Sequence, residues 1–266
     1  MRWSGIDFGR SGLGVAGRGG AWHGKARPGT AGRGRAGRGM AGHGGAWHGK
    51  ATSVGRLKQP QFNKQTHMNV LVGCEYSGTV RDAFAARGHD AWSCDLLPSE
   101  KPGNHFCCDV FSAVSARRWD LVILHPPCTA LCLAGNRHYG TGNPKQDERT
   151  LALVWTEQLV KHARHFAKSV AVEQPASVLC RVLGKRTQEI QPWQFGHPEQ
   201  KKTWLWLYNL PPLQGTKCVW DEMKGLPKSK RERVFFMSPG PNRGHERSRF
   251  YPGIAAAMAE QWATHI

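Results

Sequence analysis

The feature that most constrains this chain is a break in its texture after residue 67. Residues 1–67 hold 18 of the 32 glycines and twelve Lys/Arg, against one acid, Asp7. The octapeptide GGAWHGKA occurs at 19–26 and again, identically, at 44–51. A segment this poor in large apolar side chains cannot bury enough surface to offset the entropy of ordering it. It is expected to be disordered, so any core must come from residues 68–266. Gly/Arg segments can bind single-stranded nucleic acid weakly, and Trp22 and Trp47 are available for stacking. The alternative is a low-complexity tail without selected function. A third reading, preferred here, is that the true start is Met68, because MNVLVGCEYSG opens a strand directly after a methionine.

Beyond that break, short apolar runs alternate with helical spacing. NVLVGC (69–74), DAWSCD (90–95), DLVILH (120–125) and SVAVEQP (169–175) read as strands, with a late one in TWLWLYNLPPL. Between them, SGTVRDAFAARG (77–88) places Val80, Phe84 and Ala85 on one helical face. Residues 147–168 form a long helix with Leu151, Val154, Leu159 and Phe166 in helical spacing, and 253–265 a closing helix. Strands alternating with helices imply an α/β fold, a mostly parallel sheet with helices on both faces.

Composition narrows the partners. Net charge is +18 with a pI of about 10.0, which favours an anionic partner, nucleic acid first. The eight cysteines include no CxxC pair; the close spacings are Cys107-Cys108 and Cys128-x3-Cys132, with no second half of a zinc site. Free thiols in a reducing cytoplasm, and no metal, are the expectation. No apolar run reaches the roughly 18 residues of a membrane span, and no secretory h-region opens the chain. A cytoplasmic monomer without membrane contact is expected.

In sheets of this kind, ligands bind beyond the carboxyl ends of the strands. Polar punctuation falls there repeatedly: the turn Gly73-Cys74-Glu75-Tyr76-Ser77-Gly78, then Asp95, Asp109, His125-Pro126-Pro127-Cys128, and Glu173-Gln174-Pro175. Singly each is weak. A glycine turn is usually only a turn, Asp95 can be a solvated loop carboxylate, Glu173 can cap a helix, and a free cysteine packs as a small hydrophobe. The topology, however, brings all five strand ends to one edge.

With those residues in view, 68–266 resembles the S-adenosylmethionine-dependent DNA cytosine-C5 methyltransferases, particularly short phage-type members. The resemblance implies a Rossmann-like methyltransferase fold. LVGCEYSG is similar to that family's cofactor loop, which would give Gly73, Glu75, Ser77 and Gly78 to S-adenosylmethionine. Asp95 and Asp109 match its acids for ribose and adenine, and Pro126 lies beside the same ligand. HPPCT resembles the proline-cysteine motif, which would make Cys128 the nucleophile. VEQP resembles the glutamate motif, with Gln174 where asparagine is usual, and gives Glu173 the base-binding role. FGHPEQKKTWLWL (195–207) is similar to the later basic motif, with lysines for its arginines, and YPGIAAAMAEQW (251–262) to the closing cofactor-side segment. Lys201, Lys202, Arg247 and Arg249 are the expected contacts to DNA phosphates; the competing reading of such charges is a solvated surface. Little chain is left for a separate target-recognition domain.

The chemistry needs these residue types. Cytosine C5 is a poor nucleophile until a thiolate adds at C6, so a cysteine must sit at a fixed place beside the ring. Two prolines, each with φ near −65°, would aim it. A carboxyl such as Glu173 can hydrogen-bond N3 as charge develops. The rival enzyme reading is an amino-methyltransferase acting on N4 of cytosine or N6 of adenine, whose motif has an aromatic residue where this chain has Cys128. Rivals without catalysis are a nucleic-acid-binding protein acting through the basic tail, and a degenerate methyltransferase fold used only for binding.

Overall fold

The computed structural model describes residues 67–266; the Gly/Arg-rich segment 1–66, and the disorder expected of it, lie outside the described residues. The strands are β1 (Asn69–Gly73), β2 (Asp90–Asp95), β3 (His105–Cys107), β4 (Trp119–Leu124), β5 (Ala167–Pro175), β6 (Gln188–Ile190) and β7 (Thr203–Tyr208). The helices are α1 (Thr79–Ala85), α2 (Val110–Ser115), α3 (Asn136–Tyr139), α4 (Gln146–Phe166) and α5 (Cys180–Leu183). They continue with α6 (Trp220–Lys224), α7 (Lys228–Arg231), α8 (Arg233–Phe236), α9 (Arg243–Ser248) and α10 (Pro252–Ala263). Among the described residues, no helix is long and apolar enough to cross a membrane.

The strands form one sheet in the order β3-β2-β1-β4-β5-β7-β6. All pairings from β3 to β5 are parallel, while β7 runs antiparallel to both its neighbours. This is the expected α/β class with a mostly parallel sheet. The chain builds outward from β1 through β2 and β3, then returns to the other side of β1 with β4. Strand order therefore reverses between β1 and β4, the position at whose carboxyl ends sheets of this kind bind ligands.

Period-two alternation loads both faces. Val70, Val72, Leu121, Ile123, Ala171 and Leu205 join one buried cluster with Phe84 of α1 and Ile254, Met258 and Trp262 of α10. Leu71, Val122, Leu124 and Val172 alternate with them and are fully buried on the other face, where α2 packs on β1 and α4 on β5. Buried tryptophans have their indole N–H groups satisfied: Trp119 donates to the Val114 carbonyl at 3.0 Å and Trp262 to Pro211 at 3.0 Å.

The long helix departs from expectation in part of its face. Of the residues in helical spacing, Leu159 is fully buried, whereas Leu151 and Val154 are each 45% exposed. The inward residues are Arg149, Ala152, Trp155, Thr156, Leu159, Val160 and Ala163. Leu159 lies in that stripe as the spacing implies, but an arginine and a threonine sit there too, so the apolar pattern alone places the buried face only in part. Thr156 lies fully buried because its hydroxyl donates back to the Ala152 carbonyl at 2.8 Å.

Helix α2 starts on Asp109, whose carboxylate accepts from the Phe111 N–H at 2.9 Å. Losing such a cap costs about 1 kcal/mol. Asp109→Ala is expected to lower the melting temperature of the ligand-free chain by roughly 2–4 °C. An unchanged melt would show that the cap contributes nothing measurable.

Candidate active site

The loop after β1 is shaped by close approach and by left-handed backbone. A Cβ on Gly73 would lie 2.8 Å from both Leu124 and Val110 side chains, so only glycine lets β1 end there. Cys74 has φ +61° and Gly78 φ +69°. Between them Glu75, 5% exposed, turns back on the helix: its Oε1 accepts from the Val80 N–H at 2.7 Å and its Oε2 from Arg81 N–H at 3.2 Å. The Ser77 hydroxyl donates to the same carboxylate at 3.2 Å. Glu75 and Ser77 thus fix the turn at the start of α1.

Beside this loop, β2 ends at Asp95 and β3 two residues before Asp109, with Asp95 in register with Cys107. Asp95 is 5% exposed, and burial raises its carboxyl pKa against the opposing backbone hydrogen bond from Leu97 N–H at 3.0 Å. A carboxylate desolvated in this way favours a further donor such as a ribose hydroxyl. Leu96 and Leu97 stand exposed next to it, an apolar shelf for a flat ring. Glycine turn, buried acid and apolar shelf together fit a nucleoside with free ribose hydroxyls.

Beside β1, β4 leads into His125, whose N–H donates to the Gly73 carbonyl at 3.0 Å. Pro126 is buried, its carbonyl taken by the Gln174 side-chain amide. Cys128 follows, exposed, and opens a tight turn: the N–H groups of Leu131 and Cys132 both donate to its carbonyl, at 3.1 and 2.8 Å. The turn is anchored on two sides. Val178 N–H and the Ser177 hydroxyl donate to the Leu131 carbonyl at 2.9 and 3.1 Å. From α4, the buried Arg149 guanidinium donates to Ala130 O at 2.7 Å, Cys132 O at 3.2 Å and Asn136 Oδ1 at 2.7 Å. The thiol therefore sits on a loop held rigidly at both ends, which is what aiming it requires.

Register then sets the partner. Leu124 pairs with Val172, so the residues after them, His125 and Glu173, emerge side by side. His125 Nδ1 lies 3.0 Å from Glu173 Oε2. Burial pushes the Glu173 carboxyl up, but the His125 hydrogen bond and the His125 and Lys201 charges outweigh it, leaving the group below its ordinary range. The Cys128 thiol is shifted the other way. Although the residue is exposed at the head of its turn, the protein packed around the sulfur desolvates and raises it, Cys132 adds to that, Lys201 pulls it down, and Glu173 raises it. Lys201 acts on both groups and is held in place by donating Nζ to the Arg247 carbonyl at 3.3 Å, with Tyr251 beneath it at 5.7 Å. Cys128, Glu173, Lys201 and His125 form one electrostatic cluster.

The resting site thus has a protonated thiol and an ionised carboxylate. Iodoacetamide capture of Cys128, followed by peptide mass analysis, is expected to speed up with pH through a midpoint above that of a free cysteine. Glu173→Gln removes a negative charge and shifts the midpoint down; Lys201→Gln removes a positive one and shifts it up. Shifts of the opposite sign would mean that the two charges do not act on this thiol.

The structure places Gly73, Gly78, Asp95 and Asp109 at or just beyond the carboxyl ends of β1, β2 and β3, and Pro126, Cys128 and Glu173 at those of β4 and β5. Lys201, grouped by sequence with Lys202 as a phosphate contact, is half-buried and its charge acts on Cys128 and Glu173, whereas Lys202 is exposed. Arg247 offers its carbonyl to Lys201, and Arg249 pairs with Glu246 at 3.2 Å. The residues that sequence reasoning missed are His125, Arg149 and Phe250, which packs edge-on to the His125 ring at 4.9 Å. His125 was visible as a polar strand end; nothing local pointed to its partner 48 residues away.

No family model matches the chain, and no curated protein matches it. Among solved structures it is similar to the S. pombe Dnmt2 methyltransferase, at 16% identity and a TM-score of 0.36, over 63% of this chain and 57% of that one. It is also similar to the bifunctional kinase-methyltransferase WbdD, at 10% identity and a TM-score of 0.34, over 56% of this chain and 39% of that one. The chain spans less than two thirds of the length of either.

Proposed function

We propose that this chain transfers a methyl group from S-adenosylmethionine to C5 of cytosine in DNA through a transient Cys128 adduct. The observation that carries the reading is the Cys128–Glu173–Lys201 cluster, held by His125 and Arg149 at the same sheet edge as the 73–78 turn, Asp95 and Asp109. The backbone of 73–78 with Asp95 and Asp109 would hold the cofactor, which supplies an electrophilic methyl group when bound.

The chain's own residues do the rest. The resting pair, Cys128 as thiol and Glu173 as carboxylate, has the same number of protons as the reactive pair, thiolate and carboxylic acid. Moving one proton from sulfur to the carboxyl therefore prepares both functions at once. The thiolate adds to C6 and forms the S–C6 bond. The C5–C6 π electrons move onto the ring, and the carboxylic acid supports N3 as negative charge grows there. General acid help of this kind is worth roughly 10²–10⁴ in rate. Lys201 stabilises the thiolate, and His125 holds the carboxylate that remains after N3 takes the proton. After C5 takes the methyl group and S-adenosylhomocysteine is left, a water molecule accepts the C5 proton. The C5–H electrons re-form the C5–C6 double bond as the S–C6 bond breaks and returns the thiolate, and N3 gives its proton back to Glu173. A base buried in a duplex cannot reach Cys128, so the cytosine must be unstacked.

Incubating the full chain with methyl-labelled S-adenosylmethionine and DNA, then digesting to nucleosides, tests this. Label in 5-methylcytosine is expected. Label in N4-methylcytosine or N6-methyladenine would assign the rival amino-methyltransferase chemistry, and DNA binding without label would leave a binding protein.

A further inference from the structure

Residues 224–249 hold eight Lys/Arg and two acids, and within them two of the most exposed large apolar side chains lie side by side. Phe235 is 68% exposed and Phe236 47%, their rings edge to face at 5.2 Å on α8. On the preceding short helix, Lys228, Lys230 and Arg231 have no carboxylate partner among the described residues. The pair is tethered to the reaction centre through the segment that leads into β7. Arg233 pairs with Glu199 at 2.9 Å, and the Arg231 carbonyl accepts from Gln200 N–H at 2.6 Å. The next residue is Lys201, beside Cys128 and Glu173.

We infer that Phe235 and Phe236, with Lys228, Lys230 and Arg231, form a platform for unpaired DNA flanking the target cytosine. Exposed aromatic rings amid unpaired cations fit a polyanion whose π faces are open, because stacking is sequence-tolerant and phosphates satisfy the charges. In a duplex the base faces are already stacked on each other. A single strand offers them freely, and it also brings its cytosine to Cys128 already unstacked. An anionic membrane is a poorer fit: α7 and α8 are four residues each and separated by Glu232, not one continuous amphipathic helix. The choice of DNA rests on the function proposed above, but the contact itself is read by binding, with no methyl donor present.

The test is fluorescence anisotropy with the full chain and one labelled 20-nucleotide DNA, single-stranded and as its duplex. Using the full chain keeps any contribution of residues 1–67 common to every variant. Phe235→Ala/Phe236→Ala is expected to weaken single-strand binding roughly 10- to 100-fold while changing duplex binding less than about twofold. Phe235→Leu/Phe236→Leu, which keeps apolar bulk without π faces, should behave like the alanine pair. Lys228→Ala/Lys230→Ala should weaken both forms and reduce the salt slope on single strands by about 0.7 for each phosphate no longer neutralised. An unchanged single-strand affinity in the Phe variants, or an equal loss on both forms, overturns the inference. So does wild-type sedimentation with phosphatidylcholine–phosphatidylserine vesicles that the Phe variants lose. If binding behaves as expected but no nucleoside acquires label, the platform stands and the methyl-transfer reading falls.

Discussion

Replacing Cys128 with serine is expected to lower methyl transfer by a factor on the order of 10⁴ or more, while leaving the melting temperature within a degree or so of wild type. Serine is nearly the same size, and Cys128 is exposed at the head of its turn, so packing changes little. Its backbone carbonyl, not its sulfur, carries the turn's hydrogen bonds from Leu131 and Cys132. What changes is nucleophilicity: a hydroxyl stays protonated at neutral pH, and Glu173 is too weak a base to change that. Affinity for S-adenosylmethionine should hold, because the proposed cradle lies at the ends of β1, β2 and β3. A variant losing activity and stability together would mark Cys128 as a packing residue, and a fully active one would exclude covalent chemistry.

The second large effect falls on Arg149. It is 3% exposed and has no carboxylate among its hydrogen-bond partners; it is satisfied by the carbonyls of Ala130 and Cys132 and the side chain of Asn136. Arg149→Ala leaves the Ala130 carbonyl without its donor, takes one of two donors from the Cys132 carbonyl, which keeps the Gly135 N–H at 3.1 Å, and opens space beneath the Cys128 loop. Charge-assisted hydrogen bonds at about 1.5–3 kcal/mol each, removed together with packing, predict destabilisation of about 3–5 kcal/mol. The melting temperature should fall by about 10 °C or more, measured by differential scanning calorimetry. In the folded fraction, a loosened loop should also make Cys128 alkylation less dependent on Glu173 and Lys201. Arg149→Lys keeps the charge but not the three-pronged geometry and should recover only part of the loss. A melt unchanged in both variants would mean that the loop is held by Ser177 and Val178 alone.

What the sequence makes legible follows from what local physics determines. The strand 90–95 is found at its full length because an apolar-polar run is closed by an acid, and β1 and β4 lie within a residue of their expected limits. The strand ends that gather at one edge of the sheet were readable for the same reason: buried strands stop where polar residues begin. Arg149 shows the limit. A buried arginine reads as surface until the carbonyls that satisfy it are known, so the apolar spacing of α4 finds the buried Leu159 but also picks the exposed Leu151 and Val154 and leaves out Arg149. The reversed direction of β7 leaves no trace in TWLWLY, since either direction buries the same residues. The His125–Glu173 pair depends on the register of β4 against β5, and the placement of Lys201 beside Cys128 on a chain return of 73 residues. Neither is encoded within a short window.

The measurement that tests the central claim most directly is adduct trapping. A DNA strand carrying 5-fluorocytosine is incubated with the chain and S-adenosylmethionine, and the protein is analysed by intact mass and peptide mapping. Fluorine at C5 blocks the elimination that frees the enzyme, so the attacking residue stays bonded to C6. The predicted result is a one-to-one protein–DNA species with the DNA attached at Cys128, absent in Cys128→Ser. A protein that methylates cytosine-containing DNA but forms no such species, or carries it on another cysteine, would contradict the account.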